Sequence, residues 1–160
     1  MGYDMYVVDE HGEKIARSEH SYWRRNIFGG HPQAQKLVEL GMASWPTTPR
    51  PDYPQQPEGT EWKYDEETGD ATLVGPGAEE YRAAEHVHLR SRFGATTGIA
   101  AYKLCDTNDG WWVTVEECRE ALDAWGKAGR PDVDDFGRGP SGDTIPFLQL
   151  AAEHGGFRVW

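Results

Sequence analysis

Residues 108–125, NDGWWVTVEECREALDAW, put a turn, a short strand and a capped helix into one run. Asn108 and Asp109 bond readily to their own backbone and Gly110 accepts a positive φ, so NDG is a turn with a mechanism. Trp111, Trp112 and Val113 extend the chain, and strand alternation sends the two tryptophans to opposite faces. Thr114 then opens a capping box, with Glu117 placed to reach back to the Thr114 amide. Val115, Cys118, Leu122 and Trp125 recur at spacings of three and four, the apolar stripe of an amphipathic helix. Glu116, Glu120 and Asp123 fall on the wet side. Most of these residues thus have a structural job. Asn108, Asp109 and whichever tryptophan faces outward are left as functional candidates.

On the N-terminal side of this run, residues 99–104 read as a strand leading into the turn. Farther back, residues 3–9 alternate Tyr3, Met5 and Val7 against Asp4, Tyr6 and Val8, and apolar side chains on both faces predict a central strand. His11-Gly12 turns the chain and residues 13–16 return as a short strand. Residues 19–28 read as a helix burying Tyr22, Trp23 and Ile27, stopped by Gly29-Gly30. A second helix opens at Pro32 and runs to residue 42, with Ala34, Leu37, Val38 and Gly41 as its stripe. Residues 44–60 hold five of the ten prolines. They form a Pro-rich strap of extended chain, pinned by Trp45 and Tyr53. Residues 61–74 read as a hairpin turning through DEETGD, and residues 77–93 as a helix. Residues 126–143 are a Gly/Asp-rich loop. A last helix starts near Thr144, and FRVW closes the chain as a strand.

Together these elements predict a single domain over residues 1–160, of the α+β class. Its sheet is small, mixed or mostly antiparallel, with four to five helices packed largely on one face and the terminal strands paired centrally. Seven Trp, seven Tyr and five Phe stand in for a thin aliphatic content, so the core is built from large rings.

The net charge of −11 opposes direct binding to nucleic acid, whose phosphates need a basic footprint, and opposes an anionic membrane surface. No basic region followed by an apolar run opens the chain. No apolar stretch approaches the ~20 residues of a membrane span. The expectation is a soluble protein of a bacterial cytoplasm, its two cysteines free.

Catalytic and metal motifs are weak. Cys105, Cys118, His20, His31, His86, His88 and His154 lack the paired spacings of a zinc site. Asp132, Asp134, Gly137 and Asp143 match part of a calcium-loop spacing, but Phe136 stands where a ligand is needed. No G-x-S-x-G and no phosphate loop ending in Lys-Ser/Thr is present. No cofactor and no metal is expected. One polar set remains as a ligand-binding candidate: Arg24, Asn26, Asn108, Asp109, Trp111 and His154. It works as one site only if its members converge within about 15 Å.

Three segments carry a resemblance: SYWRRNIFGG, NDGWWVTVEECREAL and FLQLAAEHGGFRVW. With the N-terminal GYD strand, the chain resembles a group of small uncharacterised proteins of actinobacteria and their phages. The likeness covers both ends, about half of the chain, and omits the strap and the 126–143 loop. It implies a phage or actinobacterial origin and no particular activity. The function expected is that of an acidic, non-enzymatic interaction protein with a protein partner. The alternatives are a small-molecule binder or enzyme with a cleft near residues 108–111, and an acidic DNA-mimic inhibitor.

Overall fold

A computed structural model describes residues 2–134 and 144–160, with the backbone alone at residues 26–29. The N-terminal half holds β1 (Gly2–Val7), β2 (Tyr22–Asn26), α1 (Ile27–Glu39), β3 (Ala43–Ser44), β4 (Glu61–Tyr64), β5 (Ala71–Val74) and α2 (Ala78–Arg90). Then come β6 (Ile99–Ala100), a 3₁₀ turn (Ala101–Leu104), β7 (Trp111–Val113), α3 (Val115–Lys127), α4 (Thr144–Glu153) and β8 (Phe157–Val159). The class is α+β, with mostly antiparallel sheets. The chain divides into two compact units, one of Met1–Arg50 with Arg92–Trp160, the other of Pro51–Ser91. No helix among the described residues is long and apolar enough to cross a membrane.

The first unit is organised on an antiparallel sheet of order β2-β1-β8-β7, so the two terminal strands lie at its centre. Alternation decides which side chains go inward. Tyr3, Met5, Val7, Trp23, Trp111, Val113, Phe157 and Val159 are all buried. They face α1 and α4, and α4 in turn packs on α3. Rings close this layer. Phe147 of α4 lies 5.5 Å from Trp23 and 5.0 Å, edge-on, from Phe157. Each such ring removed from water is worth roughly 1.5–3 kcal/mol.

Residues 19–28, expected to be helical, instead turn at 19–21 and then form β2 and the start of α1. The alternation in YWRRN was hidden because one inward position is Arg25, only 2% exposed. Gly29-Gly30 stops nothing: both glycines and Pro32 lie inside α1. A Cβ on Gly30 would sit 3.1 Å from the Tyr3 ring and 3.2 Å from the Leu104 carbonyl. This glycine therefore allows close helix–sheet contact, a packing use rather than a cap. The return strand at residues 13–16 is reduced to a single bridge between Val8 and Lys14. Residues 99–104 pair for two residues with β3, in parallel, and then coil into the 3₁₀ turn.

The capping box of α3 forms as its residues dictate: Thr114 Oγ1 accepts from the Glu117 amide, and the Glu117 carboxylate accepts from the Thr114 amide at 2.8 Å. Glu117 does more than cap. It is fully buried, pairs with the equally buried Lys103 at 2.8 Å and accepts from the Ala100 amide at 3.0 Å. Lys103 also donates to the Trp112 carbonyl. One carboxylate thus ties α3 to β6, the 3₁₀ turn and, through Lys103, β7. Burial lowers the Lys103 pKa and the Glu117 charge opposes that shift.

The early strap belongs to this unit. Thr47 and Thr48 donate to the carbonyls of Gly94 and Phe93, each at 2.8 Å. Trp45 stands 5.7 Å from His31 and stays partly exposed. Arg50 pairs with Asp106 and lies over the Tyr102 ring at 4.8 Å.

The second unit is the β4–β5 hairpin with α2. Its register runs from Glu61↔Val74 to Tyr64↔Ala71. Asp65 closes the turn by accepting from the amides of Glu67 and Thr68. Leu73, Ala78 and Tyr81 form a small core. Tyr53 donates to Glu85 at 2.6 Å and meets the His88 ring edge-on at 5.0 Å.

Candidate functional site: a cleft on the outer sheet face

The outer face of the sheet carries the even residues of β1. Register aligns Tyr22, Tyr6, Arg158 and Trp112 in one cross-strand row, with Arg24 opposite Asp4 in the next. The chain between β1 and β2 folds back at this end: the Ile15 amide donates to the Val7 carbonyl at 3.1 Å and the Val7 amide to Ser21 at 3.0 Å. A cavity of about 360 Å³ opens between this segment and the two strands. Tyr6, Val7, Lys14, Ile15, Arg17, Ser21 and Tyr22 line it.

Most of the lining polar groups have a definite partner. The Tyr6 and Tyr22 rings lie 5.0 Å apart, tilted by 40°. Tyr22 donates to Asp4 Oδ1 at 2.6 Å, and that hydrogen bond, with burial, raises its pKa, so it remains a phenol. The Lys14 ammonium rides 3.9 Å from the centre of the Tyr6 ring. Ser21 Oγ donates to the Ser18 carbonyl and accepts from the Ser18 amide, so its hydroxyl is used within its own turn. Ile15 supplies apolar wall, and Val7 borders the cleft with its side chain turned into the core. The cleft is therefore a ring-lined recess with two exposed cations, Lys14 and Arg17, in its lining.

The polar set expected from the sequence does not gather here. Asn108 donates its side-chain amide to the Gly2 carbonyl at 2.9 Å. Asp109 accepts from the Thr107 hydroxyl. Arg24, on β2, faces Asp4 at 3.7 Å, and Asn26 pairs with Gly2 across the strands. These four cluster about the Gly2 end of β1. His154 lies at the other end, where the Gly155 amide donates to the Val8 carbonyl at 2.7 Å. Six extended residues at about 3.3 Å each separate the two ends by roughly 20 Å. The structure therefore splits His154 from the rest.

Neither tryptophan of the opening run is the outward-facing candidate. Trp111 is buried, edge-on to Tyr102 at 5.0 Å, and donates to Thr107. Trp112 does point to the outer face, yet it is 2% exposed. The Gly12 turn lies over it, so that a Cβ on Gly12 would be 2.9 Å from its ring. Its indole N–H donates to the Gly155 carbonyl at 2.8 Å.

Among the described residues no group of three or more His, Cys, Asp or Glu is placed to hold a metal ion. Phe136, Gly137 and Asp143 of the calcium-like spacing, and half of the 126–143 loop, lie outside the described residues. Asp134 itself accepts from the Thr144 amide and hydroxyl, 3.8 Å from the Arg25 guanidinium. Cys118 is buried within the core. Cys105 has its thiol pushed up to about 11 by burial and by Asp106.

Tyr6, Lys14, Arg17 and Tyr22 were not among the sequence candidates. The available signal was the outward register of Tyr6 and Tyr22, which becomes visible only once residues 22–26 are read as a strand. Comparison with protein-family models, with curated proteins and with solved structures finds no match in any of the three.

Proposed function

We propose that the protein is a binding protein without a chemical step of its own, and that it takes its ligand in the outer-face cleft. The carrying observation is the lining. The cavity falls in the size range of small-molecule sites and combines rings, apolar wall and a few fixed polar groups. None of its seven lining residues is a carboxylate, an imidazole or a thiol, and its one serine hydroxyl is held in a turn. General-base and nucleophilic catalysis draw most often on such groups; of the lining residues that can also serve, Tyr22 is a phenol spent on Asp4 and Lys14 is stacked on the Tyr6 ring. Screening a fragment set by amide NMR tests this. Binding is expected to move the resonances of Tyr6, Lys14, Arg17 and Tyr22 first, and Tyr22→Ala is expected to abolish the effect. A set that leaves those resonances still while shifting others would overturn it.

A protein partner is the second reading, favoured by β4. All four of its residues are exposed, with Trp62 and Tyr64 on one strand face. Exposed large rings of this kind mark interaction surfaces. Copurification from a host extract that survives Trp62→Ser/Tyr64→Ser would count against it.

A further inference from the structure

We infer that the ligand of this cleft is a flat ring bearing an anionic group, an aryl carboxylate or aryl phosphate; this assignment rests on the cleft being the binding site. The first ground is local charge. The chain carries 27 acidic against 16 Lys and Arg residues, yet the cleft holds Lys14 and Arg17 and no carboxylate. Most of the carboxylates around it have partners of their own. Asp4 accepts from Tyr22 and faces Arg24. Asp9 accepts from the amides of His11 and Glu13. Glu10 lies 3.4 Å from His11, and Glu19 lies 3.9 Å from His20. Glu13 is the exposed carboxylate next to Lys14 in the chain.

The second ground is how Lys14 is held. A lysine paired with a carboxylate spends its N–H groups on that partner. Lys14 is positioned instead by the face of Tyr6, and a cation–π contact fixes the ammonium while leaving its donors to a ligand. With that face of Tyr6 taken, Tyr22 and the apolar wall of Ile15 are what a ligand ring would pack against. An anionic substituent on that ring then meets Lys14 and Arg17, and charge-assisted hydrogen bonds from two cations supply the selectivity.

Four probes distinguish the parts of this assignment: benzoate, phenyl phosphate, benzyl alcohol and inorganic phosphate, each titrated into the full chain and followed by the amide resonances of the cleft. Benzoate or phenyl phosphate is expected to bind roughly tenfold or more tightly than benzyl alcohol, the worth of one charge-assisted hydrogen bond. The tighter of the two names the anion. Lys14→Gln and Arg17→Gln, at exposed positions, are each expected to lower the ratio of anion to benzyl alcohol affinity several-fold, and the two together to erase it. Benzyl alcohol binding in the cleft as tightly as both anions would overturn the anionic half and keep the site. Inorganic phosphate matching phenyl phosphate would overturn the ring. A cleft that responds to none of the four would overturn the site and the ligand together.

Discussion

Lys103 and Glu117 show how a single buried charge can hold several elements. Both side chains are fully buried, 2.8 Å apart, and their remaining polar atoms are met by the Trp112 carbonyl and by the amides of Ala100 and Thr114. Such a pair is weak evidence of net stabilisation, but removing one partner leaves the other charge buried alone. Lys103→Met is therefore expected to cost about 3–5 kcal/mol, read as a lower urea midpoint. Lys103→Met with Glu117→Gln is expected to recover part of that loss, since the lone charge is gone and an acceptor oxygen remains. If the double variant is no more stable than the single one, the loss comes from packing rather than charge.

Among the elements, α3 and the turn after α4 set opposite demands on glycine. Gly126 lies in the last turn of α3 with nothing within 4 Å of a built Cβ. Gly126→Ala is expected to stabilise by up to about 1 kcal/mol, through helix propensity alone. Gly155 passes against the chain after β1, where a Cβ would stand 1.9 Å from the Asp9 carbonyl oxygen. Gly155→Ala is expected to cost about 1–3 kcal/mol, the range of overpacking. Thermal unfolding of both variants checks the signs. α3 also carries an acid-sensitive tie. Glu120 accepts from Arg92 at 2.6 Å and from the Gly98 amide at 2.7 Å, and these bonds, Arg92 first, hold its pKa below the ordinary 4.5. A depressed carboxylate contributes stability above the unfolded pKa and loses it as pH falls through the folded one. Glu120→Gln is expected to flatten the acid-side loss of stability, modestly because the group is near solvent. An unchanged acid slope would mean that Glu120 contributes nothing to it.

For the whole molecule, the division into two units carries its own expectation. The unit of Pro51–Ser91 rests on a core of Leu73, Ala78 and Tyr81 and a hairpin whose β4 is exposed throughout. The other unit closes a four-stranded sheet against α1 and α4. Local opening free energy follows buried contact and protected hydrogen bonds. Amides of β4 and β5 are expected to exchange with solvent well before those of β1 and β8, as measured by hydrogen exchange. Equal protection in both would show that they open as one cooperative body.

The sequence by itself determined the elements whose signals are local. The NDG turn, the Thr114–Glu117 capping box, the 61–74 hairpin and the alternation in β1 each follow from residues a few positions apart, because turn, cap and pleat are short-range geometry. It also made the terminal strands apolar enough to lie at the centre. Only the tertiary structure decided what depends on distant partners. Residues 22–26 are a strand because β1 pairs with them, and Arg25 is buried there beside Asp134, a residue more than a hundred positions away. Gly30 reads as a helix stop until Tyr3 and Leu104 are seen against it. The cleft was hidden for the same reason: Tyr6 and Tyr22 become neighbours through strand register, and Lys14 and Arg17 reach them through a connection that carries no motif. His154 alone of the expected polar set lies at the far end of β1 from Arg24, Asn26, Asn108 and Asp109, a separation that spacing along the chain does not encode.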